Sequence, residues 1–331
     1  MPQFTHKERL MACIGGEKME RPPVALWRHF PVDDQTPEGL ALATIHFQQT
    51  YDFDFVKVTP SSSFCLRDWG VQDKWLGSTE GVRDYTTRPV QQPLDWFKLK
   101  PLDPRQGWLG KQLECLRLIK HALGNEVPII QTIFSPLSQA KNLAGSEQLI
   151  VHIRRYPEAV QNALQIITET TRRFVAACAE CGIDGIFYAV QHAQYSLLSD
   201  KEYLQWGAAC DKIILEEAGH FWLNVLHLHG SEVMFKLFTD YPVQVLNWHD
   251  QETQPSLAEA QQHFKGVVCG GLRQWKTMAL GTPEDVAAEA KAAIEATQGQ
   301  RFILGTGCVT PIITPHGNLI SARRSVENGC G

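Results

Sequence analysis

The chain contains no apolar run of the roughly 18 residues that a membrane-spanning helix needs. Residues 1–15 also lack the apolar stretch of a secretory leader. A cytoplasmic protein is therefore expected. There is no stripe of basic residues either: 31 Lys and Arg face 36 Asp and Glu, a net charge of -5. That balance excludes the phosphate-neutralising surface of a nucleic-acid binder. Gly270-Gly271 follows an apolar run but lacks the glycine spacing that cradles a dinucleotide, and no serine sits in a nucleophile elbow. The nine cysteines are odd in number and irregularly spaced, so no disulfide framework is expected. In a reducing compartment they are packed apolar residues, reactive thiols or metal ligands.

What is present is an alternation. Eight short apolar runs read as strands: Pro23–Phe30, Phe53–Thr59, Pro128–Phe134, Gly185–Val190, Phe221–His229, Val243–His249, Gly266–Gly271 and Phe302–Gly307. They are nearly continuous in hydrophobicity, as strands covered on both faces must be. Amphipathic segments lie between them, at 37–51, 105–123, 157–181, 199–218 and 282–296. Helices alternating with buried strands favour βαβ units and right-handed crossovers. At 331 residues the chain fits one α/β barrel, a (β/α)8 TIM barrel over residues 1–331. The link between the second and third strands is too long for one helix. Residues 61–95 read as an excursion beside the barrel mouth with a hairpin in it; Trp69, Trp75, Trp96 and Trp108 belong to this link.

A barrel places its chemistry at the C-terminal ends of its strands. Polar residues end several strands here: Arg28 and His29, Thr59, Gln191 and His192, His227 and His229, Asn247, His249 and Asp250, and Cys308. In His227-Leu228-His229 the two histidines project to the same side of a strand. Either both face the lumen, or one is a hydrogen-bonded core histidine and the other faces a loop. Cys308 follows Gly305-Thr306-Gly307 at the end of the last strand. A thiolate and two imidazoles suit a tetrahedral Zn2+ with one open position, and His249 offers a third imidazole; the alternative is an inert packed cysteine. Arg28 at a strand end needs an anion, supplied by a substrate or by Asp33 or Asp34. Cys178 and Cys181 form a CxxC without a second pair, and helix packing accounts for them.

Arg21-Pro22-Pro23-Val24-Ala25-Leu26-Trp27-Arg28 resembles the N-terminal motif of the uroporphyrinogen decarboxylase family. Gly307-Cys308 through Thr314-Pro315-His316-Gly317-Asn318-Leu319 resembles its C-terminal segment, and Leu246-Asn247-Trp248 its Leu-Asp-Trp. The resemblance spans roughly Thr5 to Glu327 and implies the barrel fold, a homodimer and a carboxylate-binding role for Arg28. The departures point away from a porphyrinogen. The stretch that corresponds to the family's aspartate at the end of the second strand, Phe55 to Ser61, carries no carboxylate; the second arginine of the motif falls at Val32; its C-terminal histidine falls at Cys308; and Phe187-Tyr188-Ala189 replaces Phe-Asp-Ser. A pocket for four pyrrole N–H groups and eight carboxylates cannot lose such partners freely.

The same superfamily includes zinc-dependent methyltransferases acting between corrinoids and thiols. Their His-x-Cys and late Cys are similar in placement to His227-Leu228-His229 and Cys308. The resemblance thus implies a metal-dependent methyltransferase with Zn2+ on His227, His229 and Cys308. Arg28 would anchor an anionic small-molecule substrate, and His29, Gln191, His192 and His249 would orient it. Any corrinoid would sit on a separate protein, because the chain has no Asp-x-His-x-x-Gly segment. The competing expectations are uroporphyrinogen decarboxylase activity without a metal, and a non-catalytic binding barrel.

Overall fold

The computed structural model describes residues 4–327. Among these residues nine strands form: β1 (Val56–Val58), β2 (Gln72–Lys74), β3 (Asp84–Thr87), β4 (Ile129–Phe134), β5 (Gly185–Val190), β6 (Val225–Leu228), β7 (Val245–Trp248), β8 (Val267–Leu272) and β9 (Phe302–Thr306). Seven of them make one curled parallel sheet in the order β1-β4-β5-β6-β7-β8-β9, while β2 and β3 pair only with each other. Every residue of the seven sheet strands is buried, as the near-continuous hydrophobicity of these runs requires.

The eighth expected strand, Pro23–Phe30, is not a regular strand. Pro22 and Pro23 have no N–H, and the Val24 N–H is taken by the Asp54 carboxylate at 2.7 Å. The segment nevertheless closes the ring. Ala25 N donates to Leu304 O and Leu304 N to Pro23 O on the β9 side, and Asp54 N donates to Val24 O ahead of β1. The barrel is therefore sealed by one parallel bridge, Val24 to Leu304.

Helices cover the outer face as expected at Pro37–Tyr51, Gly107–Leu123, Pro157–Ala179 and Pro283–Thr297. The last begins with a capping box, Thr282 with Asp285, and Pro283 in its first turn. The segment expected as one helix over 199–218 is instead interrupted by a π-turn at Leu204–Ala208. Five short helices lie outside the expected segments: His6–Gly15, Pro136–Ala144, Ser146–Arg155, Leu257–His263 and His316–Ser325. Gly145 at φ 101° separates the second from the third. No helix among the described residues is long and apolar enough to cross a membrane.

The excursion holds the expected hairpin, β2 against β3. Its turn crosses the barrel mouth: Ile312 N donates to Thr79 O, and Trp275 Nε1 donates to Glu80 at 2.9 Å. The tryptophans of the link pack locally. Trp69 Nε1 donates to Lys100 O, Trp75 Nε1 to Ser78 O, and the fully buried Trp96 to His152 Nδ1; Trp108 lies beneath Arg67 and Lys111.

Candidate metal centre

Side chains alternate along each strand, so β6 and β7 each send every second residue inward. His227 and Asn247 are direct neighbours in the parallel register, and both face the lumen. His229 and His249 follow one residue after their strands end. Cys308 arrives from β9, and its position depends on Gly307. A Cβ at 307 would lie 2.6 Å from His249 Cα, so only glycine lets this loop rest directly on the end of β7.

The result is a convergence of four groups. One donor atom each from His227, His229, His249 and Cys308 lies within 4.8 Å of all the others. The Cys308 Sγ is 3.8 Å from His229 Nδ1. The ring centroids of His227 and His229 are 5.8 Å apart, and those of His229 and His249 5.3 Å. His249 thus joins the trio that sequence spacing singles out, giving a His3Cys set where two histidines and a cysteine were expected.

Hydrogen bonding prepares two of these rings to donate a lone pair. The Asn247 amide donates to Cys269 O at 2.9 Å and Thr306 O at 3.0 Å. Its oxygen must therefore face His227 Nδ1, 2.7 Å away, and accept a proton-bearing nitrogen. That fixes the tautomer and leaves His227 Nε2 with its lone pair, buried and without a partner. His249 repeats the arrangement with Glu252 Oε2 at 3.3 Å from Nδ1, and its Nε2 is likewise buried and unpartnered. Imidazoles oriented through their second nitrogen are the usual form of metal-ligating histidine.

The electrostatics agree. Burial, reinforced by the neighbouring rings, holds His227 well below the usual histidine range and His229 at about 3, so these ligands stay neutral at pH 7. Burial pushes the Cys308 thiol up to about 11. A thiolate there calls for a nearby cation, which a bound metal provides. The donor set, its tautomers and its orphaned lone pairs therefore fit Zn2+.

The remaining expected residues divide. His192, 2% exposed, follows β5 with both ring nitrogens unpartnered, and the Gln191 side-chain oxygen beside it is unpartnered too. Burial, then Lys141, lowers His192 to about 4. His29 lies beneath the hairpin turn, packed against Gly81, with its Nδ1 unpartnered. Arg28 donates to Ile312 O at 3.3 Å and lies over the rings of Phe30 and Phe47. None of those partners belongs to the cluster, and Arg28 forms no ion pair with Asp33 or Asp34. Cys178 and Cys181 are buried, and Cys181 Sγ donates to Leu113 O, as packing implies.

Sequence reasoning missed Lys57. It sits on β1, 8% exposed, with its ammonium 4.4 Å from the Phe187 ring centroid. Phe187 in turn stacks on His227 with centroids 5.3 Å apart. Burial lowers Lys57 to about 7. The signal was a lone lysine inside the apolar run Phe53–Thr59.

Comparison with known proteins identifies the family and the fold. Residues 5–328 match the family model described as Uroporphyrinogen decarboxylase (URO-D). The methylcobamide:CoM methyltransferase MtbA of Methanosarcina acetivorans is 22% identical over 334 residues, covering 96% of each chain. The methylcobamide:CoM methyltransferase MtaA of Methanosarcina barkeri is 24% identical over 348 residues, covering 98% of each. Among solved structures, a methyltransferase from Methanosarcina mazei superposes with a TM-score of 0.86 at 20% identity, over 98% of each chain. A B12-independent methionine synthase from Shewanella sp. W3-18-1 reaches a TM-score of 0.58 at 15% identity, over 93% of this chain and 92% of that one. The sealed parallel barrel and the match from residue 5 to residue 328 together establish that this chain belongs to the uroporphyrinogen decarboxylase (URO-D) family.

Proposed function

We propose that this protein is a zinc-dependent methyltransferase that moves a methyl group to or from a corrinoid held on a separate protein, with an anionic small molecule as the other substrate. One observation carries the reading: four donor groups from three strand ends meet within 4.8 Å, and two of their nitrogens are buried with nothing to bond. Leaving such atoms unmatched costs about 1–3 kcal/mol each, a cost that a metal removes. The names of the relatives support the same chemistry.

In this reading His227, His229 and Cys308 would hold the metal, and His249 would occupy the fourth position until substrate takes it. Bound zinc acts as a Lewis acid, lowering the pKa of a thiol or polarising a methyl donor. The chain's own residues supply the rest. Asn247 holds the His227 ring in one tautomer, and Glu252 orients His249. The hairpin turn over the mouth limits water. Gln191 and His192 present unpartnered polar atoms to the substrate. A set richer in imidazole than in thiolate makes the metal a stronger Lewis acid but a weaker activator of thiolate. An O-methyl donor or a water nucleophile therefore stays open beside the thiol acceptor.

Elemental analysis of protein purified without chelator tests the proposal. Stoichiometric zinc is expected in the wild type, together with its loss in Cys308→Ser. Turnover of methylcobalamin with a thiol, or of a methoxylated donor with a corrinoid protein, should disappear with the zinc. Wild-type protein free of metal, or unchanged metal content in Cys308→Ser, would sink it.

A further inference from the structure

We propose that Lys57, Trp27 and His29 form an anion pocket in the barrel lumen, adjacent to the four-donor cluster, that takes the acceptor-only end of the substrate: a carboxylate, sulfonate or phosphonate. The inference assumes that the lumen is the reaction site, and it does not depend on what metal is held there.

Three observations meet at this point. The Lys57 ammonium is a buried cation with no carboxylate in ion-pair reach among the described residues. Of its three N–H donors one is used, on Thr59 Oγ1 at 3.3 Å. Trp27 is 2% exposed, and its Nε1, which can only donate, has no acceptor. The Lys57 Nζ lies 5.7 Å from that indole ring. His29, two residues further along, brings a third buried nitrogen without a partner. Folding leaves buried donors unmatched only at a cost. Lys57 and Trp27 can only donate, and His29 donates as well in the tautomer that carries its proton on Nδ1, so the group is the complement of a ligand with several oxygens and no donors.

The surroundings make the pocket selective. Trp27 and Phe187 meet edge to face at 5.2 Å and wall the ammonium with apolar surface, so a bound anion is shielded from water and its charge-assisted hydrogen bonds are strengthened. Phe187 also stacks on His227, which puts the anchored end of a small substrate one aromatic ring from the cluster. A carboxylate, sulfonate or phosphonate with a short carbon chain fits that span, and a bulky polyanion does not.

The test separates an anchoring role from a structural one. Lys57→Met keeps the length and packing of the side chain but removes the charge. If Lys57 serves only the fold, this variant melts lower or unchanged. If it is an unmatched cation kept for a ligand, the variant melts higher than the wild type, because a cost of folding has been removed. Titrations with acetate, methanesulfonate and methylphosphonate, with dimethyl sulfone as the uncharged control, read the binding. At least one anion should raise the melting temperature of the wild type, while dimethyl sulfone should not. Its dissociation constant should weaken about ten- to a hundredfold in Lys57→Met, and by a smaller factor in Trp27→Phe, which loses only the N–H. No anion response in the wild type, or equal affinity in Lys57→Met, overturns the pocket. Zinc content measured on the same samples keeps the outcomes distinct. Anion binding lost with zinc retained supports the pocket, and zinc absent with anion binding intact refutes only the metal reading.

Discussion

At the N-terminal ends of the strands Asp54 is completely buried, and both of its oxygens are occupied. Arg9 bonds it at 2.6 Å, Arg21 at 2.7 and 3.1 Å, the Val24 N–H at 2.7 Å and His6 at 3.0 Å. Burial alone would raise this carboxyl, but the His6 bond and the two guanidiniums hold it well below the usual carboxylate range. At the C-terminal ends the opposite holds. His192, His227 and His249 keep nitrogens with no partner, and Lys57 has no carboxylate in ion-pair reach among the described residues. Asp54 has both oxygens matched at one end, where, among the described residues around it, only Glu20 Oε2 beside Arg9 stays unpartnered, whereas several ring nitrogens are left unmatched at the other. Matched burial is what fastening a fold requires. Unmatched burial persists where something outside the chain completes it.

The largest break in this contrast should come from the closed end. Asp54→Ala leaves the buried Arg21 guanidinium, 6% exposed, without an anion, and leaves Arg9, 4% exposed, with Glu20 alone. Losing one member of a buried charge network costs about 3–5 kcal/mol. Urea unfolding should show that loss, while zinc content per folded chain stays constant.

The second difference lies in pH. His192 has its folded pKa lowered from 6.5 to about 4. Between those values the unfolded chain takes up a proton that the folded one refuses. Stability is therefore intact above pH 6.5 and lost as pH falls toward 4, by on the order of 2–3 kcal/mol for this one group. Asp54 is lowered from the carboxylate range, so its contribution is present above about pH 4 and is lost only below it. A stability profile of His192→Gln should fall less steeply between pH 6.5 and 4, with His29, His227, His229 and His249 supplying the remaining slope, and should keep its acid limb. A profile unchanged in that window would show that the histidine does not hold the difference.

The smallest effect is confined to the open end. Asn247→Ala removes the group that fixes the His227 tautomer while sparing every donor. Competition against a chelator should show zinc affinity about 10–100-fold weaker. An unchanged affinity would mean that the ring orientation is set elsewhere.

Much of this was legible in the sequence. Strands buried on both faces announce themselves as apolar runs, and β4 through β9 fall where those runs lie. The HxH spacing and Cys308 were also readable, since strand alternation and strand ends are properties of the chain. What escaped depends on neighbours. The pairing of Asn247 with His227 exists only through the β6–β7 register. His249 joins the cluster because of what Gly307 allows one strand away. Lys57 escapes because a lone lysine in an apolar run reveals neither its burial nor the aromatic rings that wall it, both of which depend on tertiary neighbours. The segment from Pro23 departed from strand form because Asp54, thirty residues on, claims its first available N–H.

That last segment has a consequence for how the protein matures. The residues that bridge β9 to the start of β1 run straight into Trp27 and His29, two walls of the anion pocket. A chain that has built its seven strands but not yet seated this segment has neither a finished wall nor a complete place for a ligand. Substrate can therefore reward only the fully joined form, and any ligand that binds there will report on whether the final seam has been made.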